Sequence, residues 1–282
     1  MPTSAEKRLR FRELHTSGCF TVPNPWDIGS ARYLQHLGFK AIASSSAGFA
    51  FSQGLPDYAV PLGEMLSHLR ELVENTDIPV NADFENGFAD APEAVARNVR
   101  LCLETGVAGL SIEDATGDLD APLYGVAEAA DRIAAAKSAI GGSNAVLVGR
   151  AECFLVDQLD IDQVIRRLCA YAEAGADCLY APGVSKPDDI RAIVAAVAPK
   201  PVNLLISSAE GLTIAEAAAL GVRRVSVGGA LARASWGGFM RAANDLARGH
   251  FDGFNGAASH SELNSFMAEN SRPRQSSSAS ES

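Results

Sequence analysis

The chain has no apolar run near the ~18 residues that a membrane-spanning helix needs, so no membrane association is predicted. Its first residues, MPTSAEKRLRFREL, carry charges where a secretory signal requires an apolar stretch. Positive charge is scarce as well. The 24 Lys and Arg face 34 Asp and Glu, a net charge of −10, and no basic stripe is present of the kind that a nucleic-acid surface needs. An anionic small molecule is not excluded, because a metal ion and one arginine can reverse the sign locally. The five cysteines (Cys19, Cys102, Cys153, Cys169 and Cys178) are odd in number and lack CxxC spacing. That excludes a disulfide framework and a zinc site, and predicts reduced thiols in the cytoplasm. Aromatic residues are only 7%. The interior must therefore rest on small side chains, which suits helices packed closely on a sheet.

What is present is a rhythm. Helical patterns end in Gly38, Gly106, Gly175 and Gly221, and each glycine is followed by a short apolar run: KAIASS, AGLSIED, DCLYAP and RRVSVGG. Glycine at a helix C′ position takes a left-handed backbone without Cβ strain. Apolar strands with few alternating charges are buried on both faces. Helical periods show in Met65, Leu69 and Leu72, in Val95, Val99 and Leu103 after an Asp90-Ala91-Pro92 start, and in Ile190, Ile193 and Val197. Strands are predicted near 20–23, 39–44, 79–83, 108–113, 145–150, 177–182, 200–206 and 223–228. That arithmetic predicts an α/β (β/α)8 TIM barrel with extra C-terminal helices; the alternative is a doubly wound open sheet. One domain is expected over 1–270, followed by a disordered Ser-rich tail at 271–282. The segment 229–270 holds more apolar residues than one closing helix requires, which predicts contact with a partner subunit.

A barrel carries its chemistry at the C-terminal ends of its strands. Those ends read Ser44-Ser45-Ser46-Ala47-Gly48, then Asp83-Phe84-Glu85-Asn86-Gly87, Glu113-Asp114, Gly149-Arg150-Ala151-Glu152 and Gly228-Gly229. Acids crowded on two neighbouring strand ends must be solvated, share protons or be neutralised by a cation. Asp83 and Glu85 lie two apart, so an extended backbone points them the same way, and Glu113 comes from the next strand. Oxygen donors without nearby His or Cys favour Mg2+ or Mn2+ over zinc. The competing reading is that these acids cap helices or sit in solvent. Ser45, Ser46 and Ala47 offer small side chains and backbone N–H groups to a carboxylate, or form an ordinary turn. Arg150, at a buried strand end, needs an anion: a substrate carboxylate or phosphate, or a structural pair with Glu152, Glu113 or Asp114. Cys153 is expected to be a small buried hydrophobe. The five histidines lie outside every strand end.

The segments PNPWDIGSARYLQHLGFKAIASSSAGFAFSQGLPD, VNADFENGF, GLSIEDATGD, LVGRAECF and RRVSVGGALARA, in that order over about 23–234, resemble the isocitrate lyase/phosphoenolpyruvate mutase superfamily. The resemblance implies the barrel, a last helix often exchanged between subunits in dimers that pair into tetramers, Mg2+ or Mn2+, and oxo-acid or enolate chemistry. The family's acidic motif corresponds to Asp83–Gly87. It implies Asp83 as the direct metal ligand, with Glu85 and Glu113 acting through water; Glu in place of Asp at 85 adds one methylene of reach. It also implies that Ser45, Ser46 and Ala47 bind the substrate carboxylate, that Asp57 lies near the reacting centre, and that Arg150 contacts substrate oxygens.

The departures narrow the reaction. Isocitrate and methylisocitrate lyases carry a Lys-Lys-Cys-Gly-His gate after strand 4, whereas ATGDLDAPLYGVAEAADRIAAA stands here without Lys, Cys or His. The mutases carry a His-Ser-Lys-Lys-like stretch after strand 6, whereas Ala181-Pro182-Gly183-Val184-Ser185-Lys186 stands here. The expected function is a Mg2+-dependent carbon–carbon lyase acting on a small α-oxo or α-hydroxy dicarboxylate, by oxaloacetate-type decarboxylation or retro-aldol cleavage. The alternatives are a phosphoenolpyruvate/phosphonate mutase or hydrolase, and a non-catalytic metal- and oxo-acid-binding protein.

Overall fold

The structure is a computed structural model that describes residues 1–271; the expected disordered tail lies outside the described residues, apart from Ser271. Eight parallel strands form one sheet in the order β1-β8-β7-β6-β5-β4-β3-β2. They are β1 (Phe20–Val22), β2 (Ile42–Ala43), β3 (Val80–Asp83), β4 (Gly109–Glu113), β5 (Val146–Arg150), β6 (Cys178–Tyr180), β7 (Val202–Leu205) and β8 (Arg224–Ser226). Between β2 and β1 the Ala43 N–H donates to the Pro23 carbonyl at 3.1 Å. The sheet thus nearly closes on itself, and the doubly wound alternative is excluded.

Every predicted strand is present. Gly38, Gly106, Gly175 and Gly221 have φ of 87°, 90°, 107° and 90°, the left-handed backbone expected after each helix. The helices of the barrel are α1 (Ser4–Leu14), α2 (Ile28–His36), α3 (Ser46–Ser52), α4 (Leu62–Glu74), α5 (Pro92–Glu104) and α6 (Val126–Ile140). They continue as α7 (Ile161–Glu173), α8 (Pro187–Val197) and α9 (Ile214–Ala219), and α10 (Ala230–Ala247) and α11 (His260–Asn270) follow. Helix α5 starts on Pro92 at its first position, where proline loses no hydrogen bond.

Strand residues alternate between two apolar layers, as period-2 geometry requires. Ile42, Leu110, Ile112, Leu147, Leu179, Leu204 and Val225 join Met65, Leu69, Val95 and Val99 of the helices. Val22, Ala43, Val146, Val148, Cys178 and Tyr180 form a separate inner cluster with Phe11 of α1. Helix α1 caps the N-terminal end of the barrel: Arg8 and Arg12 donate to the carbonyls of Val107 and Ala145, just before β4 and β5. At Gly109 a Cβ would stand 2.7 Å from the Val146 carbonyl oxygen and 2.9 Å from Phe11, so only glycine fits there.

The chain divides into two compact units, Met1–Ala234 and a second that begins at Ser235. In the second, Phe239, Met240, Leu246, Phe251, Phe254 and Leu263 are exposed. Among the described residues no helix is long and apolar enough to cross a membrane.

Candidate active site

A cavity of about 170 Å³ lies inside the strand ends, walled by Ser44–Ala47, Asp57, Asp83, Arg150 and Gly228 among others. Alternation along β5 turns Val146, Val148 and Arg150 to one side, and the register sets Arg150 beside Glu113 and Tyr180. Its Nη1 lies 3.0 Å from Glu113 Oε2 and 3.1 Å from Asp83 Oδ1, and its Nε donates to Glu152. The guanidinium carbon stands 5.4 Å from the centre of the Tyr180 ring. Burial opposes this cation, but Glu113, Glu152 and Asp83 outweigh burial and hold its pKa well above the ordinary value. Arg150 is therefore a permanent charge at the centre of the site. The sequence reading left it to choose between a structural pair and a substrate contact. It has the pair, and it also lines the cavity.

Asp83 ends β3 and is held on both sides. Its Oδ2 accepts from the Ser46 N–H at 3.0 Å and from the Ser46 hydroxyl at 3.1 Å, and its own N–H donates to Ser44 Oγ at 2.8 Å. Ser45 caps α3 through a 3.0 Å bond from the Gly48 N–H. In this arrangement Ser46 faces the acid, and Ser45, Ser46 and Ala47 all line the cavity.

Glu85 follows a different path from the one expected. The strand stops at Asp83, and Glu85 has a left-handed backbone with φ of 46°, so extended alternation does not carry it to Asp83's side. It is 5% exposed, and its Oε1 is buried without a partner. Burial first, then the charges of Asp83 and Asp57, push its pKa up to about 8. A non-glycine residue in this region is strained and persists only where its surroundings over-determine it. Arg132 of α6 supplies that restraint by donating to the carbonyls of Asn86, Ala89 and Asp90. Its guanidinium also lies 4.0 Å from the centre of the Tyr124 ring.

Glu113 is buried, and its carboxyl is pushed well above the usual range by burial, against the pull of Arg150. The hydroxyl of Tyr58 donates to its Oε1 at 2.5 Å. Tyr58 itself has φ of 64°. Its neighbour Asp57 is exposed at the mouth, and its pKa is raised by the surrounding protein and by the Asp83 charge. Asp114 is structural: it accepts from Arg167 at 3.0 Å, from the Tyr171 hydroxyl at 2.5 Å and from the Glu152 N–H at 2.8 Å.

The Arg150 guanidinium thus pairs with three acids, Asp83, Glu113 and Glu152, and Glu85 is buried without a pair of its own. The surplus negative charge is carried by protons or offset by a further cation. Among the described residues no three His, Cys, Asp or Glu side chains already form an ion cage. The donor set nevertheless fits a hard ion. It is all oxygen, it includes the unpartnered Oε1 of Glu85, and Mg2+ retains several waters, so that one acid suffices for direct contact.

Cys153 lies in a short 3-10 turn, Cys153–Val156, rather than on a strand continuing past Arg150. It is fully buried, and its pKa is pushed up to about 11, chiefly by burial, which leaves an inert thiol. The loop after β4 is pinned by a bridge between Ala115 and Leu123, and Leu119 within it is 95% exposed. Sequence reasoning missed Tyr58, although it adjoins Asp57, and it missed the polar floor formed by Asn81, Ser226 and Arg224. The signal for the floor was available: charged or polar residues at alternate positions in otherwise apolar strands.

The profile of phosphoenolpyruvate phosphomutase matches residues 11–247. The chain belongs to that family. An uncharacterized Mycobacterium tuberculosis protein is 33% identical over 78% of this chain and 82% of its own length. An oxaloacetate decarboxylase of Paraburkholderia xenovorans is 31% identical over 79% of this chain and 75% of its own. A 2-methylisocitrate lyase of Escherichia coli is 31% identical over 61% of this chain and 64% of its own. Among solved structures, a candidate lyase/mutase from Burkholderia cenocepacia superposes with a TM-score of 0.90 at 47% identity, covering 94% of this chain and 96% of that one. A phosphonopyruvate hydrolase in complex with oxalate and Mg2+ superposes with a TM-score of 0.82 at 27% identity, covering 93% and 95%. The chain is thus an enzyme-family member with lyases, a mutase and a hydrolase around it.

Proposed function

We propose that this protein is a divalent-metal-dependent carbon–carbon lyase for a small α-oxo or α-hydroxy dicarboxylate, with oxaloacetate-type decarboxylation as the leading reaction and retro-aldol cleavage as its variant. The observation that carries this reading is the central Arg150, held between Asp83 and Glu113 at a cavity that Asp57 and Asp83 also line. Asp83 would hold Mg2+ or Mn2+ directly, with Glu85 and Glu113 acting through water. The ion, when bound, supplies Lewis acidity at a substrate oxygen. Arg150 would grip substrate oxygens and offset charge on the enolate that forms as the bond breaks. Ser45, Ser46 and Ala47 would orient the carboxylate. Asp57, with its raised pKa, would hold or release a proton at the mouth. Loss of CO2 requires no base to remove a substrate proton, which matches a site whose one nearby thiol is inert.

The exposed apolar residues after Ser235 support assembly of the chain with copies of itself, and five free thiols suit a cytoplasmic setting. The test is product analysis on a panel of 2-oxo and 2-hydroxy dicarboxylates with phosphonopyruvate included, each with and without Mg2+. Pyruvate-type products that need Mg2+ are expected from a dicarboxylate. Phosphonopyruvate as the preferred substrate would replace the lyase by a phosphonate enzyme. Tight binding without any product would leave a binding protein.

A further inference from the structure

Arg224 stands apart from the groups used so far. It lies on β8 with Asn203 and Phe20 as its register neighbours, lines the same cavity as Asp83, and is 3% exposed. Its Nη1 reaches Asn81 Oδ1 at a long 3.4 Å, and its Nε is buried without a partner. Among the described residues no ion pair includes it. The other deeply buried arginines, Arg132 and Arg167, also have an unpartnered Nε, but their terminal nitrogens are tied, those of Arg132 to three carbonyls and that of Arg167 to Asp114. Around Arg224 the cavity floor is polar, with Ser226, Asn81 and Ser111 where a barrel interior usually stacks branched aliphatics. The Phe11 ring beneath, centred 5.7 Å from the guanidinium carbon, closes the floor with an apolar face.

A buried, unpaired guanidinium is costly to keep, and burial already pulls the pKa of Arg224 down. Such a group points to an anion that arrives from outside. We propose that Arg224, with Asn81 and Ser226, forms a second oxyanion subsite on the cavity floor, which takes the far anionic group of the substrate while Asp83 and Arg150 hold the reacting end. Asn81 lies two residues before Asp83 on the same face of β3, so the two ends are separated by about 7 Å of strand rise. A short, doubly charged acid spans that depth. The cavity of about 170 Å³ is small beside the roughly 300–1,000 Å³ of drug-sized pockets, and selects a compact diacid. The inference rests on the oxo-acid reading of the upper site and adds the reason for a dianion.

The test compares L-malate with 2-hydroxybutanoate, which share four carbons and differ in the distal carboxylate. Oxalate serves as a probe of the reacting end alone, and phosphonopyruvate as a distal phosphonate. Binding is measured by calorimetry on Mg2+-loaded protein, for the wild type and for Arg224→Met and Arg224→Gln. The wild type is expected to favour malate by about tenfold or more, the contribution of a charge-assisted contact. In either folded variant that preference falls toward unity, while 2-hydroxybutanoate and oxalate bind as before. The melting temperature of ligand-free Arg224→Met is expected to stay level or rise, since an unpaired buried cation has been removed; a purely structural arginine would lower it and weaken all ligands alike. Phosphonopyruvate that binds more tightly than malate and loses that advantage in the variants supports the same subsite with a phosphonate as its guest. Undiminished malate preference in either folded variant overturns the subsite. A wild type that binds oxalate but does not discriminate malate overturns it too, and leaves the upper-site reading intact. A wild type that binds none of these acids takes down both.

Discussion

At the proposed metal site, Glu85 would make ion binding a pH-dependent event. Its pKa is pushed from an ordinary 4.5 up to about 8, first by burial and then by Asp83 and Asp57. That rise corresponds to about 5 kcal/mol against the charged form. At neutral pH the metal-free protein therefore carries a proton there, and a divalent cation must displace it to recruit the carboxylate. Apparent Mg2+ affinity should rise by up to about tenfold per pH unit between pH 6 and 8, then level off. Titration calorimetry in buffers of different ionisation enthalpy counts the released proton directly; close to one is expected at pH 7. In Glu85→Gln the release disappears and the affinity curve flattens. The stability sign follows from the same group. Its folded pKa exceeds its unfolded one, so its proton's contribution to the metal-free fold is fully present below about 4.5 and lost as pH rises through about 8. Melting temperatures in EDTA should fall over that window and fall less in Glu85→Gln. Affinity independent of pH from 6 to 8, with no proton released, would refute the reasoning.

Other outcomes follow from the same geometry. Arg150→Lys keeps a charge but loses the fork that spans Asp83, Glu113 and Glu152; a loss of about tenfold or more in kcat/KM is expected, and unchanged kinetics would make the arginine purely structural. Cys153→Ala should keep most turnover and lose about 1 kcal/mol of stability by denaturant unfolding, because its thiol is buried and inert. Neither isocitrate nor methylisocitrate should be cleaved, since the loop after β4 has no Lys, Cys or His to relay a proton; efficient cleavage of either would show that another group does so. Asp114→Ala strands Arg167 in the interior and should destabilise the fold by about 3–5 kcal/mol, which thermal or urea unfolding will register.

Much of this molecule is legible from local pattern. Helix C′ glycines, apolar runs and strand-end acids each obey short-range rules, so all eight strands and the placement of Asp83, Glu113 and Arg150 at strand ends could be read directly. The misses share a cause. Glu85 departs from extended backbone because Arg132, 47 positions later, pins the loop that contains it. Tyr58 reaches Glu113 across 55 residues, and Arg224 meets Asn81 across 143. None of these long-range meetings leaves a periodic trace in the sequence. Only the oddity of a charge in an apolar strand marks Arg224, and only adjacency to Asp57 marks Tyr58.

The central claim is that Asp83 anchors a divalent ion that this site uses to break a carbon–carbon bond. The most direct test is steady-state pyruvate formation from oxaloacetate, corrected for spontaneous decarboxylation, with Mg2+ titrated into EDTA-stripped wild type and into Asp83→Ala side by side. The account predicts saturable, Mg2+-dependent turnover in the wild type, and none above background in a folded Asp83→Ala protein at any Mg2+ concentration. Equal Mg2+ affinity and equal turnover in the two proteins would contradict it.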